Sequence, residues 1–154
     1  MTERSMRAEA QPWLEIGQAM IRGEVSQPPV AKLVGFRLVA LERGKATMLL
    51  EAGERHANPM GPLHGGILCD VADAAMGMAF ASTLQGGETT TTLELKINFL
   101  KTVWDGQLQA VGRVVKSGRT IGLVECDVLD EGGSLVARAS STCMILRGDQ
   151  AKGR

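Results

Sequence analysis

Apolar and polar positions along this chain change period several times, and the changes mark out its elements. Over residues 11–21, Trp13, Leu14, Ile16, Met20 and Ile21 recur at helical spacing, which predicts a short amphipathic helix in a segment ended by Pro28-Pro29. Two strand-like runs follow, 36–41 and 46–52, around a turn at Glu42-Arg43-Gly44-Lys45. The glycine- and proline-rich stretch 59–66 reads as irregular. From residue 67 to about 84 the chain is rich in Ala and Met, lacks proline and is apolar almost all round, the pattern of an enclosed helix.

Four further strands are predicted, at 89–100, 106–115, 122–129 and 134–146, with turns at 104–106, 116–119 and 130–133 between them. Leu93, Leu95, Ile97 and Phe99 alternate with Glu94, Lys96 and Asn98, and Leu108, Ala110 and Gly112 alternate with Gln107, Gln109 and Arg113. That is the pattern of an antiparallel sheet with one covered and one wetter face. Only the 67–84 helix can cover such a face. The order therefore predicts an α+β fold, a curved six-stranded sheet wrapped around one long central helix, with a short helix before it. Residues 1–30 read as an N-terminal tail and short helix, 31–148 as the domain and 149–154 as a C-terminal tail.

Composition narrows the function. The 154 residues carry 17 Lys and Arg against 17 Asp and Glu, so no broad field would hold nucleic acid or an anionic membrane. Aromatic residues are scarce and Tyr is absent, which weakens any case for base-stacking platforms. Cys69, Cys126 and Cys143 cannot all pair within the chain, and their spacing makes no metal knuckle, so each is expected to act as a small hydrophobe. The first residues lack a signal-peptide pattern, and no apolar run approaches the roughly 20 residues of a membrane span. The expectation is a cytoplasmic protein with no membrane and no nucleic-acid partner.

The chemistry concentrates between Asn58 and Asp73. His64-Gly65-Gly66 stands at the entrance of the apolar helix, and Asp70 and Asp73 lie within its first half. A carboxylate in an apolar helix is costly unless it is paired or used. Backbone N–H groups at a helix start are a ready site for developing negative charge. The plain reading of the two acids is an ion pair or a subunit seam, the plain reading of His64 is a cap, and the plain reading of the glycines is a tight turn. The functional reading makes one acid a base or nucleophile beside an oxyanion site. His56 and His64 lack the spacing of a metal site. Gly77 costs the helix about 1 kcal/mol relative to Ala; close packing against a neighbouring backbone is the preferred reason, substrate clearance the other. No G-x-S-x-G, P-loop or G-x-G-x-x-G is present.

Asn58, His64-Gly65-Gly66 and Asp73 nine positions after the histidine resemble the hotdog-fold acyl-CoA thioesterases, in particular the PaaI-type (phenylacetate-pathway) branch, related to 4-hydroxybenzoyl-CoA thioesterases. The strand Thr92-Leu93-Glu94-Leu95-Lys96-Ile97-Asn98-Phe99-Leu100 and the turns at 116–119 and 130–133 add to the likeness. The resemblance implies hydrolysis of an acyl-CoA to free acid and CoA, with CoA part of the substrate and no cofactor. It implies Asp73 as the working carboxylate, Gly65 N–H as oxyanion donor, His64 as support for that loop and Asn58 as an orienting amide. Thr92, expected from the neighbouring chain, would position water. Gly66, Lys101, Arg113, Lys116 and Arg119 are candidates for contacting substrate or the CoA phosphates, with solvated strand-edge charges the plain reading of the four cations. A homodimer with shared sites, paired again into a homotetramer, is the implied assembly. A hotdog dehydratase and a non-catalytic acyl-CoA sensor are the rival readings.

Overall fold

The computed structural model describes residues 13–153. Helix α1 (Trp13–Ile21) and a second short helix, α2 (Pro29–Val34), precede strands β1 (Phe36–Glu42) and β2 (Lys45–Ala52). The long helix α3 (Gly65–Ala81) is followed by β3 (Thr89–Phe99), β4 (Gly106–Ser117), β5 (Ile121–Leu129) and β6 (Leu135–Leu146). All six strands join one antiparallel sheet in the order β1-β2-β4-β5-β6-β3, so β1 and β3 are its edges.

The sheet curves around α3. Leu68, Val71, Ala72, Ala75, Met76, Ala79 and Phe80 of the helix are buried against inward residues such as Leu50, Leu108, Ala110, Val124, Cys126 and Val128. Burial of each large side chain contributes on the order of 1.5–3 kcal/mol, enough for packing rather than propensity to hold the helix. The alternation seen in the sequence is the observed register: Gly112 sits opposite Cys126, and Cys126 opposite Ala139, all on the helix side. Ser82 pins the far end of α3. Its hydroxyl donates to Ala79 O (2.7 Å) and accepts from Gly44 N (2.9 Å) in the β1–β2 turn.

Three local expectations need correction. Pro28-Pro29 does not only end a helix; it starts α2, with Pro29 at the first helical turn, where its missing N–H is no loss. Gly35 closes α2 in the left-handed region at φ 94°. The boundary drawn after residue 30 therefore falls inside α2. Second, the glycine pair 65–66 is not in irregular chain: α3 begins at Gly65 and ends at Ala81, about three residues short of the predicted end. Residues 11 and 12 of the predicted first helix lie outside the described residues. Third, the β3 alternation is broken by a bulge between Thr92 and Glu94. Leu93 is the extra residue, so Thr92 before it and Leu95 after it face the same side, toward α3. The Thr142 N–H beside the bulge is taken up by Glu94 Oε1 (3.0 Å), which also accepts the Thr142 hydroxyl.

Candidate active site

His64 is the N-cap of α3: its Nδ1 accepts the Gly66 N–H at 2.8 Å. A ring that accepts at Nδ1 carries its proton on Nε2 when neutral. The cap uses Gly66 N–H, and Ile67 N donates to His64 O, which leaves Gly65 N–H without a partner among the described residues. Asn58 folds the preceding loop, its Oδ1 accepting from Met60 N at 2.8 Å, so its side-chain NH₂ stays uncommitted among the described residues. Asn58 and Gly65 line one cleft of about 490 Å³ with Leu63, Leu68, Phe99 and Val103, and Lys101 stands at it.

His56 is buried with both ring nitrogens engaged, Nδ1 accepting from Gly53 N (3.2 Å) and Nε2 donating to Val34 O (2.6 Å). It ties the loop to the end of α2, and its backbone carbonyl accepts the His64 N–H at 2.9 Å. A ring held on both sides has no nitrogen left for a metal.

Two turns along α3, Asp73 is half-buried and accepts the Thr92 hydroxyl on Oδ1 at 2.9 Å. This corrects the expectation that Thr92 comes from a neighbouring chain. It meets the carboxylate of its own chain, because the bulge turns it toward the helix. Asp73 and Thr92 line a second, largely apolar cavity of about 280 Å³, formed with Phe36, Leu38, Met48, Ala74, Gly77, Met78 and Thr90. Gly77 needs a further correction. A Cβ added there meets nothing within 4 Å, so close packing does not require the glycine; it opens the cavity instead. Asp70 is exposed on another face of α3 and joins no ion pair among the described residues.

The two clefts have no lining residue in common. Gly65 and Asp73 are eight residues apart on one helix, which separates them by about 12 Å. One chain thus carries an uncommitted N–H at one cleft and a carboxylate at a separate cavity about two helical turns away.

Of the remaining candidates, Lys101 stands at the Gly65 cleft and the others lie apart. Lys101 pairs with Asp130 at 2.5 Å. Arg113 projects from the outer face of the sheet and, with Arg138, holds Asp127 below the usual carboxylate range. Lys116 and Arg119 are exposed at the β4–β5 turn, which lies by Phe80 at the far end of α3 from Gly65. Burial pushes the thiol of Cys126 up to about 12 and also raises Cys143 and Cys69, so none is an activated nucleophile. Sequence reasoning missed Thr90, Phe99 and the α2 residues Val30 and Ala31 as parts of the clefts; only the alternation of β3 pointed at Phe99.

A curved antiparallel sheet around one central helix, with an uncommitted N–H at the helix start and a carboxylate in its middle, is the architecture of the hotdog hydrolases. The model of the thioesterase superfamily matches residues 60–137, about half of the chain and including His64, Asp73 and Thr92, and the chain belongs to that superfamily. Protein PA5202 of Pseudomonas aeruginosa is similar at 35% identity and a TM-score of 0.74 over 78% of this chain and 95% of its own. The 1,4-dihydroxy-2-naphthoyl-CoA hydrolase of Listeria monocytogenes is 28% identical over 73% of this chain and 91% of its own. The PaaI protein of the E. coli phenylacetic acid degradation operon, at 20% identity and a TM-score of 0.78 over 88% of this chain and 97% of its own, shares the fold.

Proposed function

We propose that this chain hydrolyses acyl-CoA thioesters in sites shared between two copies. The observation that carries the reading is Asp73, held by Thr92 at the wall of an apolar cavity, in a chain whose free Gly65 N–H lies too far along the same helix to serve that carboxylate. β3 is an unpaired edge with Leu93 and Phe99 exposed. A two-fold that sets β3 against its counterpart runs two α3 helices antiparallel, bringing the start of one toward the Asp73 turn of the other.

In such a site the thioester oxygen accepts from Gly65 N–H and the Asn58 amide, and the positive end of α3 favours the charge that develops there. Thr92 occupies Asp73 Oδ1, and Oδ2 has no partner among the described residues. That oxygen either takes a proton from an attacking water and passes it to the departing CoA thiolate, or attacks the carbonyl itself. Direct attack expels the thiolate and forms a mixed anhydride, which water then hydrolyses to the free acid, regenerating Asp73 and supplying the thiol proton. His64 keeps the loop in place through Gly66. Lys101 is the cation nearest the oxyanion cleft and the first candidate for a CoA phosphate.

Thiol release from a panel of hydroxyphenylacetyl-, benzoyl- and medium-chain acyl-CoA tests the reading. Asp73→Asn is expected to lower turnover by about 10²–10⁴-fold with fold and assembly intact, and Asp70→Asn to have a mild effect. The reverse ranking removes Asp73 from the chemistry. Ligand-induced stabilisation without thiol release across the panel points to a sensor instead.

A further inference from the structure

Strand β6 turns Ala139, Ser141, Cys143 and Ile145 toward α3, and all four are buried. Ser141 and Cys143 are polar where alanine or valine would fill the place with nothing to satisfy. Cys143 stands directly opposite Thr92 in the β3–β6 pairing, and cross-strand partners share a face. Its Sγ lies 3.6 Å from Ser141 Oγ, and that fully buried hydroxyl has no other side-chain partner among the described residues. Burial raises the Cys143 thiol, while hydrogen bonds with the Ser141 and Thr92 hydroxyls work against that rise. Ser141, Cys143, Thr92 and Asp73 form one polar line from the interior of β6 to the cavity wall.

Counting protons gives the line a direction. The Thr92 hydroxyl has a single proton, which goes to Asp73 Oδ1 at 2.9 Å, because an ionised carboxylate only accepts. Toward Cys143, Thr92 can then only accept. The buried thiol keeps its proton and has one to give, and its sulfur accepts in turn from Ser141. We infer that Cys143 and Ser141 are positioning residues, which aim the Thr92 hydroxyl proton at Asp73 Oδ1 and so keep Oδ2 as the reacting oxygen. Hydrogen bonds in such a chain polarise one another, so each proton pointed toward Asp73 strengthens the next bond. The kinetic consequence rests on the thioesterase reading; the direction of the protons does not.

Infrared spectroscopy reads that direction. The S–H stretch of cysteine lies in a window clear of other protein bands and moves to lower frequency when the thiol donates. The Cys143 band is identified by its loss in Cys143→Ser or Cys143→Ala. It is expected at lower frequency than a thiol without an acceptor, and Thr92→Val, which removes the acceptor, should move it up. A band at the frequency of a free thiol, or one unmoved by Thr92→Val, overturns the inference whether or not the protein hydrolyses thioesters. In the thiol-release assay, Cys143→Ala should lower kcat by about two- to tenfold with KM nearly unchanged, the usual effect of one neutral hydrogen bond. Cys143→Ser keeps a donor at the same place and should recover most of that loss. Equal losses in the two variants would reduce Cys143 to packing and overturn the inference. Absence of thiol release from every ester is instead a failure of the thioesterase reading, and the infrared result then decides the inference alone.

Discussion

Gly65 stands at the first position of α3, where a backbone N–H has no intrahelical partner and proline is well tolerated. His64 before it already has φ −66° and ψ 132°, the extended region a following proline requires. Gly65→Pro therefore deletes one N–H and keeps the helix. A Cβ there falls 2.9 Å from the tip of the Phe99 ring, but Phe99 is 54% exposed and can turn away. The expected outcome is a fall in kcat of about 10²–10³-fold, with the melting temperature nearly unchanged. A loss below about fivefold would take this N–H out of the reaction, given what one oxyanion donor usually contributes. Asn58, His64, Gly65 and Asp73 could be singled out from sequence because their types and spacing stand out against an apolar helix start. Gly77 could not be read that way, since the same residue type serves close packing and open space, and only the surroundings tell them apart.

The elements were legible where period alone decides them and obscure where partners decide them. The alternation of β4 placed Gly112 on the helix side, and the structure shows why no larger residue suits it. A Cβ on Gly112 would stand 2.5 Å from Ala75 O and 2.8 Å from Met76 N, backbone atoms of α3 that cannot rotate aside. Gly112→Ala is expected to destabilise the fold by about 1–3 kcal/mol through overpacking. For a chain of this size that lowers the melting temperature by about 2–4 °C per kcal/mol, measurable by calorimetry. An unchanged melting temperature would mean that α3 lifts freely off β4. The bulge at Leu93 had no such signal. It is defined by the pairing of β3 with β6, and a continuous apolar-polar alternation through 93–99 conceals that Thr90 and Thr92 share a face with Leu95. α2 was hidden for a related reason, because Pro-Pro reads equally as the end of one helix and the start of another.

At the scale of the molecule, the proposed sharing of sites between copies, drawn from the separation of Gly65 and Asp73, can be tested without a structure of the assembly. If each site takes Asp73 and Thr92 from one copy and Gly65 and Asn58 from another, Gly65→Pro and Asp73→Asn damage opposite halves. A mixed dimer of the two variants then holds one site with both defects and one with neither. Each variant alone is expected to be nearly inactive. Unfolding and refolding an equal mixture, which lets copies exchange, should restore about a quarter of wild-type thiol release per chain, from random pairing in a two-fold dimer. Recovery should vanish when the two substitutions are placed in the same chain and mixed with Asp73→Asn. An assembly whose sites lie wholly within single chains would show no recovery in either mixture, because every site would then keep the defect of its own chain.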